Sequence, residues 1–324
     1  MQLRDLGEFG LIDRIERAAR RLGAPRAVVI GIGDDAAVLR ARPREDVVVS
    51  TDALFEGVHF RWRTESPRTV GRRALVAALS DLAAMGARPL GFLCAMAAPA
   101  TLPVATLDGL LAGLLREARD HGSPLVGGNL SRAGETSLTL TAVGAVARGR
   151  ALRRTGARPG DRICVTGSLG AAALARVRAE RGLGRVRRVG SPRLAAGRAL
   201  ARLPQVGACI DVSDGLEADL GHLLAAPGLA AELDSARVPR PPGFAAACAR
   251  LGLDPDRLAR TGGEDYELLF TVRGRTPSAA ALSRRLGTPV SEIGRVVRGP
   301  SGGAARAGAG RGWQHFAAGQ TAGS

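Results

Sequence analysis

Two carboxylates stand side by side at Asp34 and Asp35, directly after Gly31-Ile32-Gly33. Adjacent acids repel, and burying them without a counter-charge is costly. Three further stretches set a short acid beside a hydroxyl: Ser50-Thr51-Asp52, Ser80-Asp81 and Asp211-Val212-Ser213-Asp214. Short side chains make stiff oxygen ligands, and glycine lets a backbone approach a phosphate closely. Mg2+ takes octahedral oxygens, keeps several waters, and is bound by few carboxylates together with substrate phosphates. Asp34, Asp35, Asp52, Asp81, Asp211 and Asp214 match that chemistry as a set. Singly, each has a plainer reading. Ser213 or Asp214 reads as an N-cap, and Asp-Asp as a turn.

The basic residues narrow the mechanism. All 46 are arginine. Without lysine there is neither a Gly-Lys-Ser/Thr phosphate loop nor the strand lysine of a protein kinase. If the chain handles ATP, metal ions and arginines must neutralise the phosphates. Positioning and electrostatics suffice for phosphoryl transfer, so no acid or base residue is assigned. The formal charge of +16 would suit a polyanion. Yet the densest basic stretch, Arg176 to Arg193, carries no aromatic on which bases could stack. Lysine is absent and asparagine occurs once, at Asn129, which reads as compositional bias. No nucleic-acid partner is expected. Cys94, Cys164, Cys209 and Cys248 lie in apolar runs without CxxC spacing, as buried thiols in a reducing compartment do. The four histidines are dispersed, which argues against zinc. Charges begin at Arg4 and Asp5, so no signal peptide is read, and a cytoplasmic protein is expected. The uncharged run Pro89–Leu107 contains Pro89, Pro99 and Pro103, which fit a strand, a turn and a helix start better than a membrane span.

These groups need elements to hold them. Alternation predicts strands at 46–54, 137–146, 161–167, 207–213 and 265–272. Apolar spacing predicts helices over 68–86 and over 104–122, the second ending near Gly122. In the first, Leu75, Leu79 and Leu82 form one stripe, and Asp81 falls roughly 120° from it at about 100° per residue. Asp81 can therefore leave the core and point at a site. An Arg-rich connection and a Pro-Gly turn place a domain change near Gly149, giving domains 1–149 and 150–324. Strands and helices do not alternate strictly, which favours an α+β class with mixed sheets flanked by helices. The Gly turn in 165–177 could cradle a phosphate at a helix N-terminus, close packing being the plainer reading. Glu264 and Asp265 stand at the mouth of a strand and read equally as a charged turn. Residues 298–312 read as a flexible loop leading into an apolar-aromatic WQHF cluster that docks back.

In order along nearly the whole chain stand GEFGLIDRI, GIGDDAAVL, STDALFEGVHF, ALSDLAAMGARP, GRALRRTGARPGD, IDVSDGLEADLGH, GGEDYELLF and GWQHF. Together they resemble the thiamine-monophosphate kinase family. Its wider superfamily includes aminoimidazole ribonucleotide synthetase, selenophosphate synthetase and a hydrogenase maturation factor. STDALFEGVHF, GGEDYELLF and GWQHF point to the thiamine branch.

The resemblance implies a two-domain α+β fold, with ATP and Mg2+ binding and dimerisation in 1–149 and further metal and substrate contacts in 150–324. It implies a homodimer joined through N-terminal sheets. It implies direct in-line transfer of the γ-phosphoryl of ATP to thiamine monophosphate, with several Mg2+ ions. The family's metal ligands fall on Asp35, Ser50, Thr51, Asp52, Asp81, Asn129, Asp211 and Asp214. Its ATP contacts fall on Gly128, Asn129, Arg154 and Ser213, and its substrate contacts on His59, Glu264 and Trp313. An aromatic face at Trp313 suits a cationic heteroaromatic ring. The family has aspartate where this chain has Asn129, whose amide oxygen can ligate Mg2+ but brings no charge, so weaker ion binding is expected there. Two alternatives stand beside this reading. One is a relative of the same fold acting on another small acceptor. The other is a basic nucleic-acid-binding protein, for which the aspartates would be dispensable.

Overall fold

The computed structural model describes residues 1–21, 23, 26–32, 36–275 and 277–299. Asp34, Asp35 and Trp313, and the WQHF cluster, lie outside the described residues. The chain forms two units: 1–82 with 88–149 and 178–189, and 83–87 with 150–177 and the residues from Gly190 on.

The first unit is built from α1 (Leu3–Arg20), β1 (Val28–Ile30), β2 (Val38–Leu39), β3 (Glu45–Phe55), α2 (Pro67–Ala84), β4 (Arg88–Ala98), α3 (Val104–His121), β5 (Leu125–Arg132) and β6 (Ser137–Ala147). Its main sheet has the order β3-β6-β4-β5. β3 runs antiparallel to β6 from Glu45↔Ala147 to Phe55↔Ser137. β4 is antiparallel to β6 and parallel to β5. The expected alternation in β3 decides what faces what. Ser50, Asp52 and Leu54 share a face with their partners Ala142, Leu140 and Leu138, all three of which are buried. Val47, Val49, Thr51 and Phe55 take the other face and are exposed. α3 buries Leu107, Leu110, Leu111 and Leu114, spaced as an apolar helical stripe requires. It ends where Gly122 turns left-handed (φ 63°) and its N–H returns to Ala118. α2 likewise buries Leu75, Leu79 and Leu82 completely, whereas Asp81 is half-buried.

The second unit comprises β7 (Arg162–Thr166), α4 (Ala171–Glu180), α5 (Leu194–Leu200), β8 (Val206–Asp211), α6 (Leu216–Leu223), β9 (Leu229–Leu233), α7 (Phe244–Ala249), α8 (Pro255–Thr261), β10 (Leu268–Val272), α9 (Ala279–Leu286) and β11 (Val290–Arg298). Its antiparallel sheet has the order β8-β10-β7-β11-β9. Ile163, Ile210, Leu269 and Ile293 from the sheet pack with Leu220 of α6 and Phe244 of α7 in one buried cluster. The register Leu269↔Val165 and Leu268↔Asp211 brings the ends of β7 and β8 and the start of β10 to the same end of the sheet.

The architecture is α+β, with a mixed four-stranded sheet, an antiparallel five-stranded sheet and a small antiparallel β1-β2 pair. The strand expected from 265 begins instead at Leu268, because Glu264 (φ 68°) and Tyr266 (φ 54°) are left-handed and cannot continue a ladder. Pro89–Leu107 is strand, turn and helix start, and among the described residues no helix is long and apolar enough to cross a membrane. Cys164, Cys209 and Cys248 are buried free thiols, and burial pushes Cys164 up to about 12. Cys94 is only half-buried, a departure from expectation, because β4 leaves it on the wall of a cavity.

Candidate active site

In the first unit, β3 and α2 bring two of the candidate residues into contact: Ser50 Oγ donates to Asp81 Oδ2. Both are half-buried. Asp52, two residues along β3, shares the face of Ser50, and its Oδ1 accepts the N–H of Ala53 at 2.7 Å. Thr51 lies between them on β3. Strand alternation turns its hydroxyl to the opposite face, where it donates to Leu140 O at 3.3 Å and lies 3.2 Å from Thr141 Oγ1. Its side chain therefore does not join those of Ser50 and Asp52.

His59 sits in the loop after β3. Its Nδ1 accepts the N–H of Phe55 at 3.0 Å, so the neutral ring carries its proton on Nε2. Buried Arg73 of α2 holds this loop, donating to His59 O at 2.6 Å and to Glu65 at 3.0 Å.

On β5, Gly128 lies so close to β4 that a Cβ there would stand 2.0 Å from Cys94 O. Asn129 is exposed, and its amide nitrogen donates to Ser131 Oγ at 2.9 Å. Both residues border a cavity of about 280 Å³ whose other walls are apolar, among them Leu93, Met96, Leu107 and Leu111.

The second unit supplies its own set at the end of its sheet. Asp211 closes β8 and is 3% exposed. Ser213 and Asp214 follow in the turn before α6. They are not its caps, contrary to the plainer reading. The N-cap is Gly215, with no side-chain cap bond, and Asp219 on the helix reaches back instead. Its Oδ2 accepts the N–H groups of Ser213, Asp214 and Gly215 at 3.0, 3.1 and 3.2 Å. Burial, with the charges of Asp211 and Asp214 adding to it, raises the Asp219 carboxyl to about 7, against the pull of the turn's N–H groups. This is a local excess of negative charge that a cation would relieve.

Next to this turn runs the segment before β10. Glu264 N–H donates to Ser213 O at 2.8 Å, and Tyr266 N–H to Val212 O at 2.9 Å. These bonds hold Glu264 and Tyr266 in their left-handed conformations, each costing on the order of 1–3 kcal/mol. A Cβ on Gly263 would lie 2.3 Å from Ser213 O, so only glycine fits. The Glu264 carboxylate faces Arg176 at 3.8 Å. Asp265 is no charged turn. It is 6% exposed and accepts the N–H groups of Gly170 (2.6 Å) and Ala172 (3.2 Å) at the start of α4. The helix N-terminus that could have cradled a phosphate is thus filled by the protein's own carboxylate. Glu267 is held by Arg193 at 2.5 and 2.6 Å and by Thr166 Oγ1 at 2.6 Å. Arg154 is exposed near the start of this unit.

Sequence reasoning missed Asp219 and the anchoring role of Asp265. Asp219 stands four residues into the helix after Gly215, a spacing at which an acid can reach back to loop N–H groups. Among the described residues, no three His, Cys, Asp or Glu side chains form a cage able to hold a metal alone. The donors present are carboxylate, hydroxyl and amide oxygens. That set fits Mg2+ completed by phosphate oxygens and water.

Residues 33–146 match the N-terminal domain of AIR synthase related proteins, and residues 158–305 match their C-terminal domain. That is the class which the two-unit fold and its acid-bearing turns define. The chain is 36% identical over 306 residues to the thiamine-monophosphate kinase of Mycobacterium tuberculosis, covering 92% of this chain and 87% of the relative. The crystal structure of thiamine-monophosphate kinase from Stenotrophomonas maltophilia K279a superposes with a TM-score of 0.80 at 37% identity, covering 93% and 98% of the two chains. AaThiL complexed with AMPPCP and TMP superposes with a TM-score of 0.72 at 30% identity, covering 98% and 99%. The chain belongs to the thiamine-monophosphate kinase family.

Proposed function

We propose that this chain transfers the γ-phosphoryl of ATP to thiamine monophosphate, giving thiamine diphosphate and ADP, by direct in-line attack without a phosphoenzyme. The observation that carries this is kinship with thiamine-monophosphate kinases over nearly the whole chain. That AaThiL was solved with AMPPCP and TMP supports the two ligands.

In this reading the apolar cavity beside Gly128 and Asn129 receives the purine, since a flat base needs apolar walls and close backbone approach. Arg154 and Ser213 contact the phosphates. Asp35, Ser50, Asp52, Asp81, Asn129, Asp211 and Asp214 would hold Mg2+, with Thr51 contributing through its backbone rather than its hydroxyl, and the ion would supply neutralisation of the phosphate charge. His59 offers Nε2–H and Glu264 a carboxylate to the acceptor, and Trp313 stacks on its cationic ring. The chain's part is to orient the two phosphates and exclude misaligned attack.

The outward face of β3, with Val47 58%, Val49 61% and Phe55 47% exposed, supports a homodimer through this sheet. Free cysteines and the need for ATP support a cytoplasmic location.

The test is purified protein with Mg-ATP and thiamine monophosphate, following thiamine diphosphate by chromatography. Asp52→Asn and Asp214→Asn should each cut kcat at least about 100-fold with an unchanged circular dichroism spectrum, because even residues that only orient metal ligands are worth 10–100-fold. No product from folded wild type at high Mg2+ would redirect the assignment to another small acceptor.

A further inference from the structure

The turn that carries Asp214 has no regular structure of its own. Three successive N–H groups, those of Ser213, Asp214 and Gly215, point inward at a single oxygen, Oδ2 of Asp219. Asp219 is 2% exposed, and its backbone belongs to α6, which is packed into the unit's core through Leu216 and Leu220. Gly215 takes φ 115°, a conformation rare for other residues, which lets the turn fold over the carboxylate. On its other side the turn is bounded by the N–H of Glu264 and the close approach of Gly263. Asp219 is therefore the only side chain among the described residues that joins all three N–H groups of the turn to the helix.

We propose that Asp219 is a positioning residue, which fixes the Ser213–Gly215 turn so that Ser213 and Asp214 stand where the reaction needs them. It touches neither substrate nor metal in this reading. Its work is done through the backbone of the residues that do. Three N–H groups converging on one charged oxygen form a rigid concavity. Without that oxygen, two part-buried donors and one buried donor lose their acceptor, and the turn must open to water. The inference rests on the proposed kinase reaction for its activity arm but not for its structural arm.

The decisive variants are D219A and D219N. The Asn amide oxygen can occupy the position of Oδ2 and accept the same three N–H groups, whereas Ala offers nothing. Amide hydrogen exchange of the ligand-free protein reads the turn directly. Exchange at Ser213, Asp214 and Gly215 should quicken at least about 10-fold in D219A and stay protected in D219N, with β8 unchanged in both. In turnover, D219A should lose about 10–100-fold in kcat, the range for residues that orient ligands, with KM for thiamine monophosphate little altered. The apparent Mg2+ requirement should rise in parallel, and D219N should recover most of both.

An inactive wild type would sink the kinase reading and leave the exchange result standing. An active wild type with a folded D219A that keeps its turn protected and its kcat would overturn the inference. If D219A does not fold, D219N decides alone: a folded D219N with an unprotected turn, or with kcat down more than about 10-fold, overturns it as well.

Discussion

Asp265 ties the segment before β10 to the start of α4, and the penalty of burying it should appear in the pH dependence of stability. Its carboxyl is raised from 3.8 to about 7, chiefly by burial, against the pull of the Gly170 and Ala172 N–H groups, with Glu267 adding repulsion. The sign follows from proton binding. Unfolded, the group loses its proton near 3.8; folded, it holds it until about 7. Between those values the folded chain binds more protons, so stability falls as pH rises and levels off above the folded value. Over the full interval the loss is on the order of 4 kcal/mol, of which roughly 2–3 kcal/mol falls between pH 5 and 8. Asn at this position has no proton to release. It keeps one acceptor oxygen and loses the other, at about 1 kcal/mol. D265N should therefore be slightly less stable than wild type at pH 5 and more stable at pH 8. Calorimetric unfolding of both proteins without ligand, at pH 5, 6, 7 and 8, measures this. Asp219 contributes equally to both proteins and drops out of the difference. Parallel stability curves for the two proteins would refute the reasoning, because the Asp265 carboxyl would then not be titrating from a buried state.

Two further outcomes follow from β5. Asn129→Asp should tighten apparent Mg2+ affinity about tenfold, a gain of ~1.4 kcal/mol that is modest for a new carboxylate beside a divalent ion at an effective dielectric near 20. Mg2+ titrations of the rate that coincide for the two proteins would show that position 129 is not a ligand. Gly128→Ala would drive a Cβ to 2.0 Å from Cys94 O, and since that neighbour is backbone, β4 and β5 must part. Stability should fall by about 1–3 kcal/mol, with a larger relative loss in binding of a non-hydrolysable ATP analogue. Undiminished nucleotide binding in calorimetric titration would separate this strand from the base cavity.

What was legible in the sequence was what depends on period and neighbours. Alternation in 46–54 identifies β3, and its period puts Ser50 and Asp52 on one face and Thr51 on the other. The leucine stripe of α2 was legible because a helical angle is local information, and Leu75, Leu79 and Leu82 are fully buried. The roles of Asp219 and Asp265 were not legible. Asp265 reaches residues 93 and 95 positions away, a pairing created by the antiparallel register of β7 and β10. Asp219 is nearer in sequence, but a Ser-Asp before a helix invites a capping reading, and only the left-handed Gly215 reverses the direction in which the cap is supplied.

These two buried acids bear on how a lysine-free chain can handle phosphates. Clusters of inward N–H groups at loop–helix junctions are ready anion sites. In the second unit the junctions before α4 and α6 have both been filled, by Asp265 and Asp219. Neither nest is open to a phosphate, and each filling carboxylate adds negative charge near Asp211, Asp214 or Glu264. A triphosphate would be repelled by such a surface unless cations came with it. The backbone thus serves to fix acids, the acids call for divalent ions, and the ions and exposed arginines such as Arg154 are left to neutralise the nucleotide. On that logic, neutralising an acid at Asp214 should hurt nucleotide binding rather than help it, the opposite of what simple charge repulsion between protein and ATP would give.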